Sequence, residues 1–246
     1  MKIKGKTALI TGASTGIGRS IAVKLASEGA NIIINYSRST EEAEKTLSMI
    51  RDVGARGMIY QADVSDKIQV EKMFKEALEQ FNGIDILVNN AGTTDFVPLK
   101  DLDGLLDEYW DRAFNVNVKG MFYTSRVCAS ELKKNKGCIV NITSIAGLNG
   151  NGSSIAYAAS KAAGISVTKS LARVLAPRVR VNSIAPGVVK TRWVDGQEEH
   201  VDQYRDGTLL NRVASPDDVA EITAGIIEGG DFVTGQTIVV DGGWSI

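Results

Sequence analysis

"TALITGASTGIGRSIA", Thr7 to Ala22, changes character twice within one short stretch. It opens as a brief apolar, β-branched run and passes through a turn holding Gly12, Gly16 and Gly18. It then resumes with Ile17 and Ile21, which with Leu25 just beyond form one helix face. Strand, glycine turn and helix is the order of a dinucleotide-binding unit. Glycine lets the backbone approach a pyrophosphate, and the amides and dipole of the next helix favour its charge. The spacing, Gly-x-x-x-Gly-x-Gly, is one residue longer than the commonest fingerprint. A rival reading takes Gly12-Ala13-Ser14-Thr15-Gly16 as a hydrolase nucleophile elbow, with His200, the one histidine, downstream as base. That elbow needs an oxyanion loop from an earlier strand, and here the motif follows the first.

Outward from this unit the same alternation continues. Short apolar runs lie at 31–35, 57–61, 84–90, 138–143, 178–185 and 237–240, separated by amphipathic stretches. Strands apolar on both faces and joined through helices imply a parallel sheet covered on both sides. The expected fold is a Rossmann-type, doubly wound α/β domain of about seven strands. No linker or repeat divides it, so 1–246 is read as a single domain. One polar excursion, 191–207, is expected to be a lid over a site at the strand ends.

Composition narrows the partners. The 246 residues include 28 Lys and Arg against 29 Asp and Glu, which leaves no electrostatic case for nucleic acid or an anionic membrane. The start, "MKIKGKTALITG", has no apolar h-region, and no run is long enough to span a bilayer, so a cytoplasmic protein is expected. Cys128 and Cys138 lack metal-ligand spacing and read as reduced core thiols, and no metal is expected.

The second strand ends in "NYSRS", where such folds present a carboxylate to the ribose of NAD. None is present. Asn35 and Ser37 offer hydrogen bonds and Arg38 a positive charge, a set suited to a 2′-phosphate, so NADP(H) is favoured over NAD(H).

Six further motifs, in chain order, carry a resemblance. "TGASTGIG" is followed by "NNAG" (89–92), "NVNVKG" (115–120), "ITSIAG" (142–147), "YAASK" (157–161), "APGVVKT" (185–191) and "VTGQTIVVDGG" (233–243). Together they resemble the short-chain dehydrogenase/reductase family over nearly the whole chain, and within it the 3-oxoacyl-acyl-carrier-protein reductases. The resemblance implies Tyr157 as general acid/base, Lys161 as its partner, Ser144 as the carbonyl-binding hydroxyl and Asn117 as the holder of a water-linked proton relay. It implies cofactor contacts from Gly12, Ser14, Thr15, Gly16, Ile17 and Gly18, and from Asp63 and Val64 at the adenine. Asn90, Ala91 and Gly92 fall along the ribose, with Pro186, Gly187, Val189 and Thr191 at the carboxamide. For Asp63 a helix-capping role is an alternative.

Each catalytic role also has chemical sense. Tyr157 and Lys161 are four residues apart and share a helix face. A nearby ammonium and a bound nicotinamidium both favour phenolate, so Lys161 is expected to lower the pKa of Tyr157. Ser144 follows the fifth strand, at the ligand-binding edge.

The expected activity is NADPH-dependent reduction of a ketone, first of all a 3-oxoacyl thioester, with acyl carrier protein as a candidate partner. Relatives that dock the acidic carrier commonly have an arginine-rich approach to the fifth strand; here it reads "KKNKGC", with Lys133, Lys134 and Lys136 but Cys138 at a frequent arginine position, a departure from that pattern. Trp193, at the start of the lid, suits a cyclic or aromatic alcohol/ketone pair instead, and a sugar or secondary alcohol belongs to the same alternative. A non-catalytic cofactor-binding protein is the other class. Helices rich in small residues, with the family resemblance, lead us to expect a homotetramer.

Overall fold

The computed structural model describes residues 1–196 and 198–246, with the backbone alone at residues 198–200. Seven parallel strands form one sheet in the order β3-β2-β1-β4-β5-β6-β7. They are β1 (Thr7–Ile10), β2 (Asn31–Tyr36), β3 (Gly57–Gln61), β4 (Ile86–Asn89), β5 (Cys138–Ile142), β6 (Arg180–Pro186) and β7 (Thr237–Val240). Helices α1 (Gly16–Ser27), α2 (Thr40–Asp52) and α3 (Lys67–Phe81) join the first four. Beyond β4 come α4 (Asp107–Phe114), a π-helical stretch (Asn115–Gly120), α5 (Met121–Asn135), α6 (Ala146–Asn149) and α7 (Ile155–Leu175). Helices α8 (Glu198–Gly207) and α9 (Pro216–Gly229) precede β7.

Alternation along the strands explains the two-sided burial. Ala8 and Ile10 of β1, with Ile32 and Ile34 of β2, pack with Ile21 and Leu25 of α1 and Val219 of α9. Leu9 and Ile33, one residue out of phase, pack with Met73 of α3, Leu132 of α5 and Leu175 of α7. Each strand therefore needs apolar residues at consecutive positions, which is why the sequence reads as continuous β-branched runs.

Neighbour choice at β1 positions the site. This strand pairs with β2 on one side and β4 on the other, so the chain leaves the sheet in opposite directions there. The crevice opened at such a switch point lies at the carboxyl ends of the strands. All the pairings are parallel, so the loops after β1, β2, β4, β5 and β6 meet at that edge. Lys133, Lys134 and Lys136 precede β5 and therefore lie toward the other edge, away from Ser144.

Helix starts correct one reading. The side chain of Asp66 caps α3, accepting from the amides of Ile68 and Gln69, whereas Asp63 Oδ1 accepts from the amide and hydroxyl of Ser65. The capping alternative for Asp63 thus falls to its neighbour. Both cysteines are buried free thiols, and burial pushes Cys138 up to about 11. No helix among the described residues is long and apolar enough to cross a membrane.

Candidate functional site

A cleft of about 970 Å³ runs along the carboxyl edge of the sheet, from Arg38 past Tyr157 to Trp244. At its centre the glycine loop is held by backbone conformation and by spent amides. Gly12 and Gly16 have φ of 62° and 55°, the left-handed region that glycine enters without penalty. A Cβ on Gly12 would also come 2.9 Å from Ala91 Cα. Asn90 Nδ2 donates to the carbonyls of Thr11 and Gly12, both at 3.0 Å, while Thr11 Oγ1 accepts from the amides of Asn90 and Ala91. The loops after β1 and β4 are thus tied together. Thr15 precedes α1 without capping it, so the first helical amides have no side-chain partner and their dipole faces the cleft.

Ser14, Thr15, Gly16 and Ile17 line the cleft, but Gly18 does not. Its role is packing: a Cβ there would strike Asn90 Nδ2 and the Gly12 carbonyl, each at 2.5 Å. Ser14 is 6% exposed, with no histidine side chain against it among the described residues. The proposed base of the hydrolase reading, His200, has its side chain outside the described residues.

At the far end of the cleft the 2′-phosphate reading needs one correction. Asn35 is 1% exposed and its amide is used up: Oδ1 accepts from Gly12 N at 3.3 Å, and Nδ2 donates to the carbonyls of Ala62 and Tyr36. It shapes the glycine loop and has no donor left for a phosphate. Ser37 and Arg38 are exposed on the rim, and Arg38 pairs with no carboxylate among the described residues. Asp63 and Val64 line the same end, and Val64 packs over Gly120, where a Cβ would come within 2.7 Å of it.

Opposite the loop, Ser144, Tyr157 and Lys161 converge on one wall. The Ser154 hydroxyl starts α7 by accepting from Tyr157 N, and the helix period then stacks Lys161 beside the phenol, with Nζ 5.6 Å from the ring centroid. Lys161 is 4% exposed, and its ammonium donates to the Ile142 carbonyl at 3.0 Å. Burial lowers its pKa to about 8. Burial also pushes the Tyr157 phenol up to about 12, opposed only by the Ser144 hydroxyl beside it. In the protein alone, desolvation of the phenolate is the larger influence on Tyr157. Gly92 lies in contact range of this group, since a Cβ there would lie 3.5 Å from Lys161 Nζ and 3.4 Å from Asn117 Oδ1.

Asn117 stands behind this wall. It is 2% exposed, does not line the cleft, and spends its side chain on the structure. Oδ1 accepts from Thr93 N at 2.8 Å, and Nδ2 donates to Thr93 O and Ser160 Oγ. What its side chain visibly does is hold the loop after β4.

Pro186, Gly187, Val189 and Thr191, at and after the end of β6, line the remaining wall. Thr191 then caps a short 3₁₀ turn, Arg192–Val194, that carries Trp193 edge-on to Tyr157 at 6.3 Å. Tyr204 of α8 stacks on Trp244 at 5.1 Å and presses on Gly187, where any side chain would overlap its hydroxyl. Phe96, Val97, Ile145 and Val188 complete an apolar surface. Tyr204 and Trp244 carry no local motif, and only the length of the polar excursion hinted at a covering segment.

A Rossmann-type sheet whose cleft joins a glycine loop to a serine, a tyrosine and a lysine defines a dinucleotide-dependent oxidoreductase. The family model described as short chain dehydrogenase matches residues 6–202. The chain is 39% identical to 3-oxoacyl-[acyl-carrier-protein] reductase of Staphylococcus epidermidis, over 97% of this chain and 98% of that one. Among solved structures it is similar to a short chain dehydrogenase from Burkholderia cenocepacia in complex with NADP, with TM-score 0.93, 36% identity and full coverage of both chains. It is also similar to a 7α-hydroxysteroid dehydrogenase complexed with NADH and 7-oxo glycochenodeoxycholic acid, with TM-score 0.92 and 31% identity over 98% and 95% of the two chains. The protein is a member of the short-chain dehydrogenase/reductase family.

Proposed function

We propose that the protein is an NADPH-dependent reductase that converts a ketone to a secondary alcohol, with a 3-oxoacyl thioester as the first candidate. The observation that carries this is the convergence of Ser144, Tyr157 and Lys161 on the wall facing the glycine loop. When bound, the reduced nicotinamide supplies hydride. The Ser144 hydroxyl donates to the ketone oxygen and orients it toward the phenol. With its phenol pushed up to about 12, Tyr157 is fully protonated at neutral pH and can pass its proton to the developing alkoxide. Lys161, with a value of about 8, is still largely charged there and stabilises the phenolate left behind.

The residues fit the cofactor in kind. Two left-handed glycines and an uncapped helix start suit a pyrophosphate, and Lys161 has donors to spare for ribose hydroxyls. NADP is favoured over NAD because Arg38 is exposed and unpaired among the described residues and no carboxylate ends β2. The relative crystallised with NADP supports the same choice.

One observation favours a second reading. Trp193 standing edge-on to Tyr157 suits a cyclic ketone, the kind of ligand named for the hydroxysteroid dehydrogenase neighbour. In either reading residues 191–207, of which residue 197 and the side chains of 198–200 lie outside the described residues, act as a lid. Assembly as a homotetramer belongs to the same proposal, supported by exposed apolar side chains on α5 and α7, Phe122 and Val174.

The test is oxidation of NADPH and of NADH by the purified protein with acetoacetyl thioester, a cyclic ketone and a sugar. Turnover of the thioester with NADPH is expected. Turnover of the cyclic ketone alone transfers the assignment to the second reading, and inertness toward every carbonyl overturns both.

A further inference from the structure

The wall beside Tyr157 holds two hydroxyls that proton transfer does not use. Thr94 comes from the loop after β4 and Ser153 from the turn before α7, yet Thr94 Oγ1 and Ser153 Oγ are directly hydrogen-bonded, with either able to donate. Both are half-buried and both line the cleft. The amide of Val97 donates to the Ser153 carbonyl at 2.9 Å and holds the two loops in register. The same turn abuts the catalytic ring, since a Cβ on Gly152 would come 3.2 Å from Tyr157 Cδ1.

A hydroxyl has one proton and two acceptor sites, so the bond within the pair leaves capacity over. Thr94 Oγ1 lies 3.4 Å from the Asp95 carbonyl. When Thr94 donates there and Ser153 donates to Thr94, the pair presents lone pairs to the cleft. When Thr94 donates to Ser153, the Ser153 proton is released for a ligand. The pair can thus accept from a ligand or donate to it.

Its polar neighbours are already committed. Arg112 is held by both oxygens of Asp95, at 3.0 and 2.9 Å. Asn115 accepts from Lys119, and Asn117 is bound to Thr93 and Ser160. Ser144 stands beside Tyr157 for the reacting carbonyl, and Arg192 is exposed at the rim. Thr93 and Asn151 also line the cleft, but the Thr94–Ser153 pair is the polar group fixed between two loops beside the Tyr157 ring, and it offers a second point of polar recognition next to Ser144.

We infer that the Thr94–Ser153 pair is a subsite for a second oxygen on the substrate. The substrate class is then a ketone with another oxygen function close to the reacting carbonyl, such as a 3-oxo ester, a 3-oxo thioester or a hydroxyketone, in preference to a simple ketone. This rests on the reductase reading. A site built to hydrogen-bond an oxygen discriminates strongly against analogues that lack it, because its own polar groups are left unpaired.

The experiment compares ethyl acetoacetate with 2-pentanone and cyclohexanone, using NADPH and the variants Thr94→Val, Ser153→Ala, the double variant and Thr94→Ser. The double variant is expected to lose about 10- to 100-fold in kcat/KM for ethyl acetoacetate, while both mono-ketones stay within about threefold. Thr94→Ser, which keeps the hydroxyl, is expected to retain most of the parent rate. Equal losses for all probes would show a loop-stitching role and overturn the subsite, as would no loss for any. Failure of the parent protein to oxidise NADPH with every probe sinks the reductase reading and the subsite together.

Discussion

The two halves of the cleft are built differently. The cofactor half is made from backbone: glycines in left-handed conformations, an uncapped helix start, and amides of Asn35 and Asn90 spent on holding the loop. The substrate half is made from side chains brought in by four separate segments, with Thr94 and Phe96 after β4, Ser153 before α7, Trp193 after β6, and Trp244 after β7. Backbone geometry admits one class of ligand and tolerates little change. A wall of side chains can be altered one residue at a time, so substrate choice belongs there.

The sharpest test of this division acts at the boundary. Tyr157→Phe is expected to lower kcat by about 10²- to 10⁴-fold, the usual worth of a positioned acid, while the Kd for NADPH measured by fluorescence titration stays unchanged. Loss of cofactor affinity on the same scale would dissolve the distinction between the halves. Gly18→Ala attacks the cofactor half through packing. Its Cβ meets a backbone carbonyl and a locked amide, and overpacking of this kind costs about 1–3 kcal/mol. Thermal unfolding is expected to fall by several degrees, and the Kd for NADPH to rise whatever the ketone.

Arg38→Ala probes cofactor choice. The KM for NADPH is expected to rise about tenfold or more while that for NADH hardly moves, since one charge-assisted contact to a phosphate is removed. A parallel rise for both cofactors would remove Arg38 from the 2′-phosphate. Trp193→Ala is milder and confined to the other half, shifting relative kcat/KM among ketones about two- to tenfold with no change in the Kd for NADPH.

The smallest effect is on stability against pH without cofactor. The folded-state value of Lys161 is lowered from 10.5 to about 8, so between those values the unfolded chain binds more protons. Stability from this group therefore rises as pH increases from about 8 toward 10.5. Lys161→Met should remove that rise from a series of denaturant titrations across the range.

The strands were legible because each is buried on both faces and therefore continuously apolar, as in Ile32–Ile34. Several site residues were legible for a similarly local reason: a tyrosine and a lysine at helix spacing, or glycines at a strand-to-helix turn. Less legible were the partners of Asn35, Asn117 and Gly18, because each packs or bonds with neighbours distant in the chain, Ala62, Thr93 and Asn90. Asp63 and Asp66 both suit a cap, and only backbone position decides between them.

By itself the sequence determined the parallel sheet, the glycine turn and the stacking of Lys161 beside Tyr157, since all three follow from residue types at short, regular spacing. Tertiary structure alone decided which polar groups remain free, how far desolvation moves Tyr157 and Lys161, and that Thr94 meets Ser153. Those depend on burial and on contacts between segments far apart in the chain, and local spacing carries no information about either.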